Sequence, residues 1–173
     1  MGREARLHVE CTARMDPEIK KKALRLLTNG VYVLTSRAHD RLGVATVTWV
    51  SQASFKPPLV MVAVRKESNI FRCLSESGVA ALHVVAKGQE HIAQKFFSPV
   101  KPQDAPLRDE PFFEGKTSAP ILKNLRAYVE CKVVSLIPEP GDHAIVLLEV
   151  VEAEWAAQVE PLTVPDSPWE YGG

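Results

Sequence analysis

Hydroxyl and amide side chains concentrate in one stretch of the chain, residues 43–64, GVATVTWVSQASFKPPLVMVAV. Two apolar segments predicted as strands flank a polar corner at residues 51–54, and Pro57-Pro58 precedes the second strand. On an unbroken strand, one face would carry two hydroxyls, an aliphatic group and an amide: Thr46, Thr48, Val50 and Gln52. Such a face could hydrogen-bond a polar heterocycle. The alternative is that threonine is simply a good strand former and that Ser and Gln are turn residues.

A second candidate site is the segment Arg65-Lys66-Glu67-Ser68-Asn69, which precedes a predicted helix ending at Gly78. Ser68 can cap that helix, and the exposed N–H groups of a helix N-terminus, with cations nearby, attract anions such as phosphate. The alternative is an ordinary serine cap with solvated charges. The sequence has neither GxGxxG nor GxxxxGK[ST], so it predicts neither a Rossmann dinucleotide site nor a P-loop.

Two further segments carry residues suited to binding. In Gln94-Lys95-Phe96-Phe97, the lysine could reach a phosphate and an aromatic ring could cover a heterocycle, although the pattern also fits an amphipathic helix. In Gly141-Asp142-His143, a histidine beside a carboxylate at the mouth of a strand could donate a hydrogen bond to a ligand. The alternative is a surface turn, since Gly-Asp is common turn chemistry. The remaining histidines show no spacing typical of a metal site.

The elements that would position these residues are mostly strands. We predict strands at 31–36, 43–50, 59–64, 79–85, 127–137 and 143–155, and helices from Asp16 to Asn29, 69–77 and 89–97. Residues 98–120 are predicted to form a long irregular loop. Helices do not alternate regularly with strands, so we expect a mainly β, antiparallel barrel with peripheral helices. We expect one domain, residues 1–173, with residues 1–15 as an N-terminal arm.

Composition narrows the class of protein. Basic and acidic residues balance at 21 each, so no global positive field would recruit nucleic acid or anionic lipid. No apolar run approaches the roughly 20 residues needed to cross a membrane. The charged N-terminus does not resemble a signal peptide, and three widely spaced cysteines do not form a disulfide framework. We therefore expect a cytoplasmic protein in a reduced setting.

Taken in order, these segments resemble the flavin reductase-like family, whose fold is the FMN-binding split barrel with Greek-key-like antiparallel strands. The resemblance covers roughly residues 20–173. It rests on LLTNGVYVLT, VATVTWVSQASFKPPL, Ser68-Asn69, QKFF, the GDH piece with the strand after it, and PWEYGG. The TxTWVSQxSxxPP and GDH pieces are the most discriminating.

The resemblance implies a homodimer that binds FMN, or in some members FAD, near the subunit interface and reduces it with NADH or NADPH. The residues implied to line the isoalloxazine and ribityl chain are Thr46, Thr48, Trp49, Val50, Ser51 and Gln52. Those implied around the phosphate are Ser68, Asn69, Gln94, Lys95 and Phe96. His143 would lie near the flavin ring and the incoming nicotinamide as the catalytic residue.

Three readings of the function stay open at this stage. The flavin itself carries hydride chemistry, so an enzyme of this kind needs no side-chain nucleophile. Reduced flavin could then supply a partner monooxygenase. The alternative is a non-catalytic FMN-binding electron-transfer protein, or a ferric reductase-like flavoprotein, which would use the same residues. A third class is an interaction β-barrel without a cofactor.

Overall fold

The computed structural model describes residues 15–101, 104–156 and 158–170. The predicted N-terminal arm lies outside the described residues except for Met15. Three α-helices are present in the described part: α1 Pro17–Leu24, α2 Asn69–Ser77 and α3 Glu90–Gln94. A short 3₁₀ turn follows at Pro106–Asp109. No helix in the described part is long and apolar enough to cross a membrane.

Nine strands make up most of the regular secondary structure in the described residues. They are β1 Tyr32–Ala38, β2 Arg41–Val47, β3 Val50–Ser54, β4 Leu59–Arg65, β5 Val79–Val84, β6 Phe112–Glu114, β7 Pro120–Leu122, β8 Ala127–Ile137 and β9 His143–Trp155. Seven of them form one sheet in the order β2-β1-β5-β8-β9-β4-β3, and every pairing in it is antiparallel. The predicted mainly β, antiparallel architecture is confirmed.

The two edges of this sheet are consecutive in the chain. β2 pairs with β1 and β3 pairs with β4, and only Thr48 and Trp49 separate β2 from β3. The sheet therefore curls until its edges meet at a two-residue link, without a ladder between β2 and β3 in the described structure. This is a split barrel rather than a closed one.

The same link corrects the premise of one unbroken strand through residues 43–52. Trp49 already accepts a hydrogen bond from Ala63 N–H at 3.0 Å, so the chain has left β1 and joined β4 by that point. Residues 51–54 are not a corner but part of β3, and the turn comes after them at residues 55–58. Thr46 and Gln52 consequently belong to strands at opposite edges of the sheet.

Two hydrophobic clusters hold the barrel and its helices together. The barrel interior includes Leu34, Val62 and Leu148, and α2 packs against it through Ile70 and Leu74. Ser68 caps α2 by accepting a hydrogen bond from Phe71 N–H, and Gly78 ends it with a left-handed φ of 68°. The second cluster lies under α3 and packs the segment after it and the C-terminal segment against β1.

Two short strands lie within or next to the segment predicted to be irregular. β6 lies inside residues 98–120 and pairs with β7, with Phe112 opposite Leu122. The turn between them wraps around the buried carboxylate of Glu130, which accepts hydrogen bonds from Lys116 N–H, Thr117 N–H and the Thr117 hydroxyl. A Cβ on Gly115 would lie within 2.7 Å of that carboxylate, so the close approach requires glycine.

His83 is a second buried polar group with both of its partners in place. Its Nδ1–H donates to the Val33 carbonyl and its Nε2 accepts from Leu122 N–H, each at 3.0 Å. Complete burial lowers the pKa of His83 to about 4, against a weaker opposing effect from the Val33 hydrogen bond. His83 is therefore a neutral structural residue that ties β5 to β1 and β7.

Candidate functional site

A cavity of about 360 Å³ opens where β2 and β4 end and β9 begins, beside the N-terminus of α2. Its sheet wall consists of Thr46, Thr48 and Trp49 from the β2 end, Ala63 and Arg65 from β4, and His143 from β9. Arg65 and His143 are directly opposite each other in the β4–β9 ladder. Three segments that the sequence singled out separately therefore meet at one site.

The opposite wall comes from the segment after α3 and from the C-terminal segment. Residues 96–100 and the side chains of Val164, Ser167, Trp169 and Glu170 line it. Phe97 and Trp169 pack edge to face with ring centroids 4.7 Å apart. From the sequence, the loop at residues 98–120 and the tail that contains Trp169 were candidates to cover the flavin, without geometry for either.

Thr46 in β2 and Thr48 in the link after it differ in whether the side-chain hydroxyl has a hydrogen-bond partner. The Thr46 hydroxyl donates to the Ala93 carbonyl at 2.6 Å, and the Thr46 N–H donates to the Phe96 carbonyl at 3.2 Å. Thr46 therefore fastens β2 to α3. The Thr48 hydroxyl is buried, and it is the only buried side-chain polar atom in the described residues that has no hydrogen-bond partner.

An unpaired buried hydroxyl costs about 1–3 kcal/mol. Thr48 lines the cavity, so a bound molecule with a polar edge could supply the missing partner.

His143 is oriented by its neighbour in the sequence. Its ring nitrogen Nδ1 lies 2.8 Å from Asp142 Oδ1, and because a carboxylate can only accept, Nδ1 carries the proton. This hydrogen bond is the main reason why the pKa of Asp142 lies below its ordinary value. The His143 ring also contacts Trp49, with centroids 4.8 Å apart at 57°. Nε2 is the ring nitrogen left for a bound molecule.

The α2 end of the cavity provides backbone N–H groups and one guanidinium. The Ser68 hydroxyl donates to the Arg65 carbonyl at 2.6 Å, and the Asn69 amide donates to the Leu42 carbonyl at 2.8 Å. Both predicted phosphate-binding side chains line the cavity, but their polar atoms also hold the local backbone. Arg65, within the candidate segment but not among the predicted binding residues, adds a positive charge to this wall.

Lys95 and Gln94 are not brought to the cavity wall, although Phe96 is. The Lys95 ammonium forms an ion pair at 2.7 Å with Glu110, whose side chain is only 3% exposed. Glu110 also accepts a hydrogen bond from the Asn124 amide at 2.6 Å. A lysine that neutralises a buried carboxylate is poorly placed to bind phosphate, and its predicted role remains untested.

Val50, Ser51 and Gln52 line a different depression. This barrel-mouth cleft, of about 480 Å³, lies between β3–β4 and the strands β1, β5, β8 and β9. The residues that form it are Tyr32, Val50, Ser51, Gln52, Val60, Leu82, Val84, Ala127, Tyr128, Val129, Ala153, Glu154 and Trp155. The break between β2 and β3 thus divides the predicted flavin-lining residues between two surfaces.

Comparison with known proteins places this architecture in a family. The sequence pattern of the flavin reductase like domain matches residues 24–167, and the chain belongs to that family. A diflavin flavoprotein of Synechocystis sp. is 33% identical over 148 residues, which is 83% of this chain and 25% of the relative. The chain spans between a fifth and a quarter of the length of the first diflavin relatives that it matches.

Solved structures agree on fold and length. The NADH:FAD oxidoreductase of Streptomyces globisporus superimposes with a TM-score of 0.73 and 28% identity, covering 87% of this chain and 92% of that one. The flavin reductase component of a bacterial two-component tryptophan halogenase gives a TM-score of 0.73 and 26% identity, with coverage of 84% and 91%. The resemblance noted in the sequence and the expected split barrel are both confirmed.

Proposed function

We propose that this protein is an NAD(P)H-dependent flavin reductase that binds FMN in the cavity beside Thr48 and His143. The observation that carries the proposal is the buried, unpartnered Thr48 hydroxyl in a cavity of a flavin reductase-like domain. The heteroatom-rich edge of an isoalloxazine, or the hydroxyls of a ribityl chain, can hydrogen-bond that atom. FAD is the alternative flavin, since one similar structure is named for it.

The bound flavin would supply the redox chemistry, accepting a hydride from the reduced nicotinamide and a proton from solvent. The task of the protein is to hold and orient both molecules. Asp142 fixes the ring tautomer of His143, so that Nε2 faces the ligand as a hydrogen-bonding atom. Trp49, in contact with that ring, limits its rotation.

We place the flavin phosphate at the α2 end, next to Arg65. The positive end of α2 and the guanidinium favour an anion there, as expected for a helix of nine residues with a serine cap. Lys95 is the competing candidate from the sequence, but its charge is already matched by Glu110. This assignment makes Arg65 the residue that separates FMN from riboflavin.

We also propose a homodimer that borders the cavity. The outer face of β4, β8 and β9 exposes Met61, Ile137 and Ile145, and Ile137 lies opposite Ile145 in the ladder. Ile145 in turn lies opposite Ala63, which lines the cavity, so this apolar patch and the cavity are continuous. A second copy on the patch would place the flavin near the subunit interface.

Relatives support a proposal for the final use of the reduced flavin. One similar structure is the reductase component of a two-component halogenase, and another is named a monooxygenase component. We infer that reduced flavin leaves the protein to supply a partner monooxygenase, in the cytoplasm where reduced nicotinamides are available.

The test is a flavin titration followed by anaerobic reduction. Purified protein should bind FMN or FAD at micromolar concentration, and NADH or NADPH should bleach the visible absorbance of the bound flavin. No binding of either flavin would overturn the proposal. Bound flavin that neither nicotinamide reduces would favour the electron-carrier alternative.

His143→Ala probes the nicotinamide step separately. We expect slower reduction of the bound flavin with little change in flavin affinity, measured by anaerobic stopped-flow. Arg126→Ala, outside the cavity lining, is a charge-removal control elsewhere on the surface. Reduction rates equal to those of the unmodified protein would leave His143 with a purely structural role.

A further inference from the structure

The first helix carries an apolar stripe that is open to solvent. No residue of α1 is buried. At 100° per residue, Ile19 and Ala23 fall on one face of α1, about 40° apart. Ile19 is 65% exposed, and Met15, which precedes the Asp16 cap, is 60% exposed. Apolar side chains at this spacing are typical of a helix face that packs against another surface.

The helix is too short to be stable without such packing. It has eight residues, and isolated helices shorter than about 12–15 residues are marginal in water. Asp16 caps it by accepting hydrogen bonds from Glu18 N–H at 2.8 Å and Ile19 N–H at 3.3 Å. A cap contributes about 1 kcal/mol, which does not offset the cost of nucleating a helix. A surface that covers the stripe would supply the remaining stabilisation.

The barrel-mouth cleft is the matching open surface on the same chain. Its floor continues the barrel interior through Val60 and Leu82, and its rim carries Tyr128 and Trp155. Trp155 is 70% exposed. Large aromatic side chains left open around an apolar floor are enriched at protein interfaces.

The charges beside the two surfaces are complementary. Lys22 lies about 80° from the centre of the stripe, on its flank, whereas Lys21 lies on the opposite side of α1. The acidic residue on the cleft lining is Glu154. A stripe seated in the cleft would bring an ammonium and a carboxylate to the same rim.

We propose that α1 of one copy docks its stripe into the barrel-mouth cleft of a second copy, and that the exchange is reciprocal. Because each chain carries both the helix and the cleft, a two-fold dimer forms two identical helix-to-cleft contacts. The inference rests on the homodimer of the proposed function and adds to it the surfaces that exchange.

A charge swap tests the docking. Lys22→Glu and Glu154→Lys should each place like charges at both contacts and raise the dimer dissociation constant by about fivefold to tenfold at low salt. An equimolar mixture should recover the unmodified constant, since each contact then pairs opposite charges. Lys21→Glu changes the same net charge on the opposite face and should leave the constant unchanged. Light scattering after size exclusion measures all four samples.

Cysteine pairing tests the geometry. Ile19→Cys and Trp155→Cys, mixed under oxidising conditions, should give a disulfide-linked dimer that contains one chain of each, above the background of the unmodified protein. A stable dimer with no mixed product and no effect of the charge swap overturns the helix exchange but keeps the homodimer. A monomer at all concentrations overturns both. Flavin titration of the same samples reports separately on the flavin site.

Discussion

Buried polar groups in two regions of the barrel differ in whether the protein supplies their hydrogen-bond partners. Around β5 and β8, His83 and Glu130 have their partners within the protein, and at the cavity the Thr48 hydroxyl has none. Satisfied groups of this kind hold a fold in one register, and an unsatisfied one is a cost that a ligand can remove. The difference separates a structural side of the barrel from a binding side.

Removal of the Glu130 carboxylate should have the largest effect on the structural side. Glu130→Ala leaves two backbone N–H groups and the Thr117 hydroxyl without their acceptor, so we expect a loss of about 3 kcal/mol in the free energy of unfolding. Urea denaturation measures it.

Glu149→Ala, which removes a carboxylate from the neighbouring strand β9, is a control for loss of charge and should cost much less. Flavin affinity of the folded Glu130→Ala protein should be unchanged. A stability within 1 kcal/mol of the unmodified protein would show that Glu130 does not hold the β6–β7 turn.

The buried His83 predicts how stability depends on pH. Its pKa falls from 6.5 in the unfolded chain to about 4 in the folded protein, so between these values the unfolded state binds more protons. The contribution is complete above pH 6.5 and is lost as the pH falls toward 4. It amounts to about 2 kcal/mol between pH 7 and pH 5.

His83→Gln isolates this contribution from that of other titrating groups. The difference in unfolding free energy between pH 7 and pH 5 should shrink by about 2 kcal/mol in this variant, whatever its absolute stability. If the pH dependence is the same in His83→Gln as in the unmodified protein, His83 has the same pKa in the folded and unfolded states, and the proposed effect of its burial is wrong. Flavin affinity should follow a different pH dependence, since His83 is not among the residues that line the cavity.

On the binding side, Arg65 and Lys95 are the two alternative candidates for the residue that binds the flavin phosphate. Arg65→Ala should weaken FMN about tenfold relative to riboflavin, because only FMN has the phosphate. Lys95→Ala should weaken both ligands alike and should destabilise the fold, since it strands the buried Glu110 carboxylate. Isothermal titration with the two flavins measures the ratio. The opposite pattern would return the phosphate to Lys95.

The sequence predicted the strands and their antiparallel arrangement well, because alternation and turn residues are local features. It failed at Thr48-Trp49, where strong strand formers continue through the point at which the chain changes partners. Which strands pair across that link depends on the curl of the whole sheet. The ion-pair partner of Lys95 could not be predicted either, since Glu110 lies in a segment whose sequence predicts an irregular loop. Nothing local separates a lysine that binds phosphate from one that neutralises a buried acid.

The sequence predicted individual residues of the candidate site, but it did not predict which of them lie together in one cavity. Thr48 and His143 were both singled out, and the β4–β9 register explains why the distant GDH segment reaches the β2 end. The tail at Trp169 was only a candidate cover of the flavin, because a C-terminal segment has no periodicity from which its packing could be inferred. The sequence therefore identified residue types suited to flavin, and only the topology showed which of them share one cavity.

The most direct comparison is between the two threonines, which differ in partner and not in chemistry. Thr46→Val removes the hydrogen bond to Ala93 and should lower the free energy of unfolding by about 1 kcal/mol with flavin affinity retained. Thr48→Val removes a buried hydroxyl that has no partner, so the free protein should be equally or more stable, and flavin binding should weaken by about fivefold. Urea denaturation and flavin titration are measured on both variants. The proposal requires Thr46→Val to lose stability but keep flavin affinity, and Thr48→Val to lose flavin affinity but keep stability. If Thr48→Val binds flavin as tightly as the unmodified protein, the orphaned hydroxyl does not face the ligand and the binding side of the comparison fails.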